Sequence, residues 1–304
     1  MHLNKKASSA KRLIIFILIT TIFLIVISTS FIKDTNPVYI RDTNPTCLTL
    51  LMITPTISVL LTKIITKETL KDSILLPNIK KNKKNYALSY LIIPLIAYSG
   101  AVIFFILFPH TFNPLLSKFA SQYHLYTIKE YLKSIFFIIP ACLLINPLGG
   151  LLSCFGEEYA WRGYLLTNLC NIFSKKTSII LTGLIWGLWH APIIYTGYNY
   201  GTDQKFLGIL MMIIFCSTMN IILSYSLFKT KTIWIPVVIH ASINGIDKYT
   251  PVYMFGSRFI KYNYFIGPNL VGLIGGSGLI VLAILFYVKI KNKSLIKFNS
   301  KKGV

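Results

Sequence analysis

Residues 13–32 read LIIFILITTIFLIVISTSFI, twenty consecutive positions without a charge. An α-helix needs about 20 apolar residues to cross the hydrocarbon core of a bilayer. The run follows Lys5, Lys6, Lys11 and Arg12, a basic flank of the kind that also opens secretory signals. A signal h-region spans only about 7–15 residues and ends at a small-residue cleavage site. No A-x-A site follows here, so the segment reads as a retained transmembrane helix.

Working outward, seven more segments approach the same length: 46–66, 86–108, 134–154, 177–197, 206–228, 232–249 and 267–290. The seventh of the eight, 232–249, is short and polar for a span. Residues 155–176 continue the fourth span as an amphipathic stretch, and 114–133 reads as another, suited to the membrane interface. With no internal repeat and no long linker, the expectation is one membrane domain over residues 1–304. Its fold class is all-α, a polytopic helix bundle of about eight transmembrane helices.

Composition points the same way. Apolar residues make up 54% of the 304-residue chain and charged residues 13%, with a mean hydropathy of +0.63. Soluble domains carry about 25% charged residues, and disorder needs low hydrophobicity; both classes are excluded. The formal charge of +22 arises from 31 Lys and Arg against 9 Asp and Glu. With the N-terminus in the cytoplasm, 22 of the 31 basic residues fall in cytoplasmic segments. That satisfies the positive-inside rule with both termini cytoplasmic. Topology therefore explains the charge, anionic lipid is the expected partner of the basic loops, and nucleic acid is not needed. The expected location is the cell membrane, as a multi-pass protein of a bacterial plasma membrane.

Cys47, Cys142, Cys154, Cys170 and Cys216 form no CxxC pair. They predict neither a disulfide framework nor a cysteine metal site. There is no G-x-G-x-x-G and no P-loop. Gly272 and Gly276 form a G-x-x-x-G in the last segment, which reads as small-residue helix packing.

Six of the nine carboxylates fall in predicted loops or interfaces; Glu157, Glu158 and Asp247 do not. Of the five histidines, only His190 and His240 fall inside spans. Ionisable groups at membrane depth are costly, face the bundle interior and mark function. In Glu157-Glu158-Tyr159-Ala160-Trp161-Arg162, Glu158 and Arg162 stand one helical turn apart and can pair. Glu157 is rotated about 100° from Glu158 and has no such ionic neighbour, so it stays free for general-base chemistry. In Trp186-Gly187-Leu188-Trp189-His190, Trp186 can pack beside the His190 ring, and Trp186 and Trp189 read as packing or interface aromatics. In His240-Ala241-Ser242-Ile243-Asn244, His240 and Asn244 share a helix face and can together hold a developing oxyanion. Asp247 and Lys248, at the end of that segment, read as interfacial. Taken singly each element has a bland alternative: a surface ion pair, a packing histidine, a chance spacing. Their ordered occurrence on three helices of one bundle is what favours a site.

The three motifs, EExxxR, [FW]xxxH and HxxxN, make the chain resemble the CPBP (Abi) intramembrane proteases, relatives of the type II CAAX prenyl endopeptidases. The resemblance covers residues 134–249, the expected catalytic core. It implies an endopeptidase that hydrolyses a peptide bond in a membrane-associated protein or peptide, as in CAAX-type processing or in pheromone and bacteriocin maturation or immunity. Glu157 would be the general base, His190 its partner in activating water, and His240 with Asn244 the oxyanion hole. Glu158 and Arg162 would hold the architecture. The expected mechanism uses no cofactor. If a metal is present, zinc or another divalent ion would take Glu157, His190 and His240, although the stronger zinc signature HExxH is lacking. The competing readings are a non-catalytic immunity protein that acts by binding, and a transporter with a proton relay.

Overall fold

The computed structural model describes residues 2–33, 45–247 and 249–291. Asp34, Asp42, Lys248 and the basic tail beyond Lys291 lie outside the described residues. Within them the fold is all-helical, with a lone antiparallel bridge between Phe112 and Gly256. Helix α1 (His2–Lys33) packs against α2 (Pro45–Ile65). Helix α3 runs Ile79–Leu107 and α4 runs Ile128–Ile172. Then come α5 (Lys175–Trp189), α6 (Lys205–Thr230), α7 (Trp234–Asp247) and α8 (Ser277–Lys289). Five of these, α1 to α4 and α6, contain stretches long and apolar enough to cross a membrane. Their outward faces carry exposed large apolar side chains such as Ile14, Leu18 and Ile22, while Phe16 on the opposite stripe of α1 is fully buried.

Each of the eight expected segments finds a helix, but the boundaries move for local reasons. Residues 134–154 and 155–176 join into α4, 45 residues and about 68 Å long. It starts one residue after Thr127, which forms a capping box with Glu130. Wide π-type turns interrupt it at Ala141–Ile145, just after Pro140, and at Tyr159–Leu165, just after Glu158. The expected interfacial stretch 114–133 is instead a short helix, Lys118–Gln122, followed by the start of α4.

The last segment is the clearest correction. Helix α8 covers Ser277–Lys289 alone, and residues 264–276 form irregular turns. Gly272 and Gly276 therefore lie ahead of the helix rather than on a helix-packing face. The chain folds back on itself there: Gly275 N–H donates to Gly267 O and Leu273 N–H to Phe265 O. A Cβ on Gly275 would lie 2.2 Å from Asn269 O, and one on Gly100 of α3 would lie 2.1 Å from Gly275 O. Non-helical backbone at membrane depth is tolerated where protein or a cavity covers it, and this strap is packed between α3 and a cavity.

Close helix approach positions the motifs. Gly156, next to Glu157, sits on the α2 backbone; an added Cβ would be 2.6 Å from Met52 O. The Thr56 hydroxyl donates to Gly156 O at 2.6 Å. Gly187, next to Trp186, sits on α6, where a Cβ would be 2.6 Å from Ile213 Cα. Helix α7 is tied to α4 by Asn146 Nδ2 donating to Gly245 O at 3.1 Å. Small residues beside each motif thus bring three helices together.

Candidate active site

The two adjacent carboxylates take different environments because they stand on different faces of α4. Glu158 is fully buried. Its Oε1 accepts from Arg162 Nη1 at 2.9 Å and from His240 Nδ1 at 2.8 Å. The Arg162 guanidinium, itself fully buried, lies 3.9 Å over the Trp186 ring, a favourable cation–π arrangement. The π-type turn carrying Arg162 begins right after Glu158, and such turns concentrate at functional sites.

Glu157 lines the cavity, whereas Glu158 does not. It is not free of neighbours as the sequence implies. Its Oε2 accepts from Trp186 Nε1 at 2.6 Å and from Trp161 Nε1 at 3.2 Å. Trp186 and Trp161 are therefore hydrogen-bond donors to the candidate base and not packing aromatics alone. Trp161 stands one turn after Glu157, at the same spacing that pairs Glu158 with Arg162, so the i, i+4 pattern carries this partnership as well. Among the described residues Glu157 Oε1 forms no protein hydrogen bond, which leaves that oxygen to the cavity.

His190 sits where α5 ends. Ala191-Pro192 follow, and proline lacks the N–H that would continue the hydrogen-bond ladder. The ring is framed by Trp186 and Trp189, with centroids at 5.8 and 5.0 Å. Nδ1 donates to Trp186 O at 2.8 Å, and a carbonyl only accepts, so Nε2 is the nitrogen that can take a proton. Cys216 of α6 lies beside it, Sγ to Nδ1 3.6 Å. For His240 the bond to Glu158 likewise occupies Nδ1, and Trp186 packs edge-on against the ring at 5.6 Å.

Glu157, His190, His240 and Asn244 all line one cavity of about 160 Å3. Its apolar walls come from α2, α6 and the strap, through Leu51, Met212, Met219 and Leu270. Asn244 is solvent-exposed at the cavity wall, and its Nδ2 lies 3.6 Å from Cys154 Sγ. Asp247, expected at an interface, lines the same cavity, as do Cys216, Tyr198 and Asn199. Nothing in the local sequence links Cys216 or Asn199 to the motifs; tertiary packing alone brings them in.

The hydrogen bonds to Glu157 Oε2, His190 Nδ1 and His240 Nδ1 engage one atom of each side chain in the conditional metal set and leave Glu157 Oε1 and both Nε2 atoms. Among the described residues no three or more His, Cys, Asp or Glu side chains are grouped as metal ligands.

Comparison with known proteins points to the same segment. The family model for type II CAAX prenyl endopeptidase Rce1-like proteins matches residues 135–246. A curated relative, CAAX prenyl protease 2 of Methanococcus maripaludis, is 32% identical over 98 residues. That match covers 31% of this chain and 36% of the relative, so the chain spans about a third of the relative it matches. The segment that carries the site is thus similar to the type II CAAX prenyl endopeptidase Rce1-like proteins, the resemblance that its three motifs carry.

Proposed function

We propose that the chain is an intramembrane endopeptidase of the CAAX-protease kind, using Glu157 and His190 to activate water. The observation that carries this is the division of labour in the cavity. Glu157 presents one oxygen to the cavity while two indole N–H groups hold the other; Glu158 is withdrawn into contacts with Arg162 and His240. Water between Glu157 and His190 loses a proton to Glu157 as it attacks the peptide carbonyl. His190, with Nδ1 fixed on a backbone carbonyl, orients that water through Nε2.

The oxyanion then faces α7. Asn244 donates through Nδ2. His240, whose Nδ1 is held by Glu158, donates from Nε2 when the ring carries its second proton, and Glu158 is the counter-ion of that form. Glu157 returns its proton to the leaving amine. No step runs through a metal.

The substrate class follows from the walls. A cavity lined by leucine and methionine suits the apolar or lipid-modified end of a membrane-associated peptide. C-terminal processing of a CAAX-type protein and maturation of a peptide pheromone or bacteriocin both present such a segment. Anionic lipid headgroups are the proposed partners of the basic helix start at Lys80, Lys81, Lys83 and Lys84, and a plasma membrane the proposed location.

The test is cleavage of prenylated and membrane-anchored peptides by detergent-purified protein. Wild type is expected to cleave with undiminished rate in a metal chelator, and Glu157→Gln to lose about 10³-fold, the scale of a general base. Activity lost on chelation and restored by zinc would overturn the metal-free mechanism. Cleavage retained by Glu157→Gln would overturn the assignment of the base.

A further inference from the structure

Asp247 is unused by this mechanism, yet it lines the cavity together with the motif residues. Counting along α7, His240, Asn244 and Asp247 stand at i, i+4 and i+7, which places them on one helix face. The face therefore runs from the imidazole through the amide to a carboxylate. Seven residues of helix span about 10.5 Å. An extended peptide covers that distance in about three residues, at ~3.3 Å each. Tyr198 and Asn199 add polar groups to the same lining. The rest of the wall is largely apolar, so a carboxylate there sets the charge of this end. Asp247 is engaged within the protein, but a carboxylate offers about four lone-pair positions and can take a further donor.

We propose that Asp247 forms a specificity subsite for a cationic side chain, lysine or arginine, about three residues from the scissile bond. The proposal rests on the reading of the cavity as a peptidase site. A peptide whose carbonyl lies against His240 and Asn244 carries its third neighbour to Asp247. An ammonium or guanidinium group there is paired in a partly desolvated wall, where close charge pairs contribute more to recognition than rim pairs. A leucine or glutamate at that register gains nothing comparable.

The experiment reads binding separately from turnover. Fluorescent membrane-anchored peptides carry one lysine, stepped through successive positions on either side of the cleavage point, with leucine as reference. Their Kd values are measured on detergent-purified Glu157→Gln protein, with Asp247 intact, as Asp247→Asn, and as Asp247→Glu. The expected result is about tenfold tighter binding of lysine over leucine, worth about 1.4 kcal/mol, confined to registers near three residues. The lysine preference should fall to near unity in Asp247→Asn and return in Asp247→Glu, which separates charge from folding. A preference that survives Asp247→Asn, one that is spread over all registers, or no measurable peptide binding overturns the subsite. Charge-dependent binding with no cleavage of any peptide by the wild type would sink the peptidase reading and leave the subsite standing.

Discussion

Two neighbouring glutamates have opposite fates in this protein, and the cause is one step of helix rotation. Glu158 faces Arg162 and His240, where its charge is matched inside the bundle. Glu157 faces the cavity and is steadied by Trp186 and Trp161. Trp186 also packs beside His190 and His240 and lies under Arg162, so one indole touches both carboxylate systems. Trp186→Phe keeps the ring but deletes the 2.6 Å N–H bond to Glu157. A hydrogen bond to a charged group contributes about 1.5–3 kcal/mol. The expected outcome is a kcat lower by about 10- to 100-fold with KM nearly unchanged. Steady-state kinetics on a cleaved peptide checks this; a wild-type kcat in Trp186→Phe would show that Trp161 alone suffices to hold the base.

Among the elements, α4 carries the most. Its wide turn at Tyr159–Leu165 is bolted to the loop after α2 at two points. Tyr159 donates to Asp72 Oδ2, which also meets Lys63 Nζ, both at 2.5 Å. Tyr164 donates to Glu68 Oε1 at 2.7 Å, and Arg12 Nε lies 3.2 Å from Glu68 Oε2. One turn earlier, Gly156 lets α2 approach the Glu157 backbone. Gly156→Ala would drive a Cβ to 2.6 Å from Met52 O and 2.8 Å from Ile53 Cα. Those contacts are backbone and cannot rotate away, so α2 must shift. Overpacking of this kind costs about 1–3 kcal/mol. Gly149→Ala, on the same helix with nothing within 4 Å of the added Cβ, is the control and should be neutral or slightly stabilising. Unfolding midpoints in detergent with increasing SDS separate the two; equal midpoints would refute the close-packing argument.

Over the whole molecule, a lysine cluster and a small aromatic cluster stand near opposite ends of α3. At one end, Lys80, Lys81, Lys83 and Lys84 cap the start of α3, where Asn82 Nδ2 reaches Thr230 O at the end of α6. At the other, Phe119, Tyr131 and Met254 form a small cluster that joins the loop before α4 to the segment after α7. The positive-inside rule assigns the lysine end to the cytoplasm. Single cysteines placed at the exposed positions Lys81 and His124 are expected to react oppositely with a membrane-impermeant maleimide. Intact cells should label position 124, and position 81 should require permeabilisation. The reverse pattern would invert the protein in its membrane.

The helical class, the placement of the motifs and the pairing of Glu158 with Arg162 were legible in the sequence, because they depend on local quantities. Twenty uncharged residues at 13–32 demand a helix in lipid, and an i, i+4 spacing makes a pair wherever the helix is. The division between Glu157 and Glu158 was legible for the same reason. Three things required the tertiary structure. The strap at 264–276 could not be told from a span by hydropathy, since its glycines permit a fold-back that only Gly100 and the cavity make favourable. The Trp186 donor at Glu157 depends on the approach of α5 to α4, which no spacing encodes, whereas Trp161 lies one turn along α4 itself. The entry of Asp247 and Cys216 into the cavity depends on how α6 and α7 are turned against their neighbours. Local chemistry determined which residues could act; packing decided which of them meet.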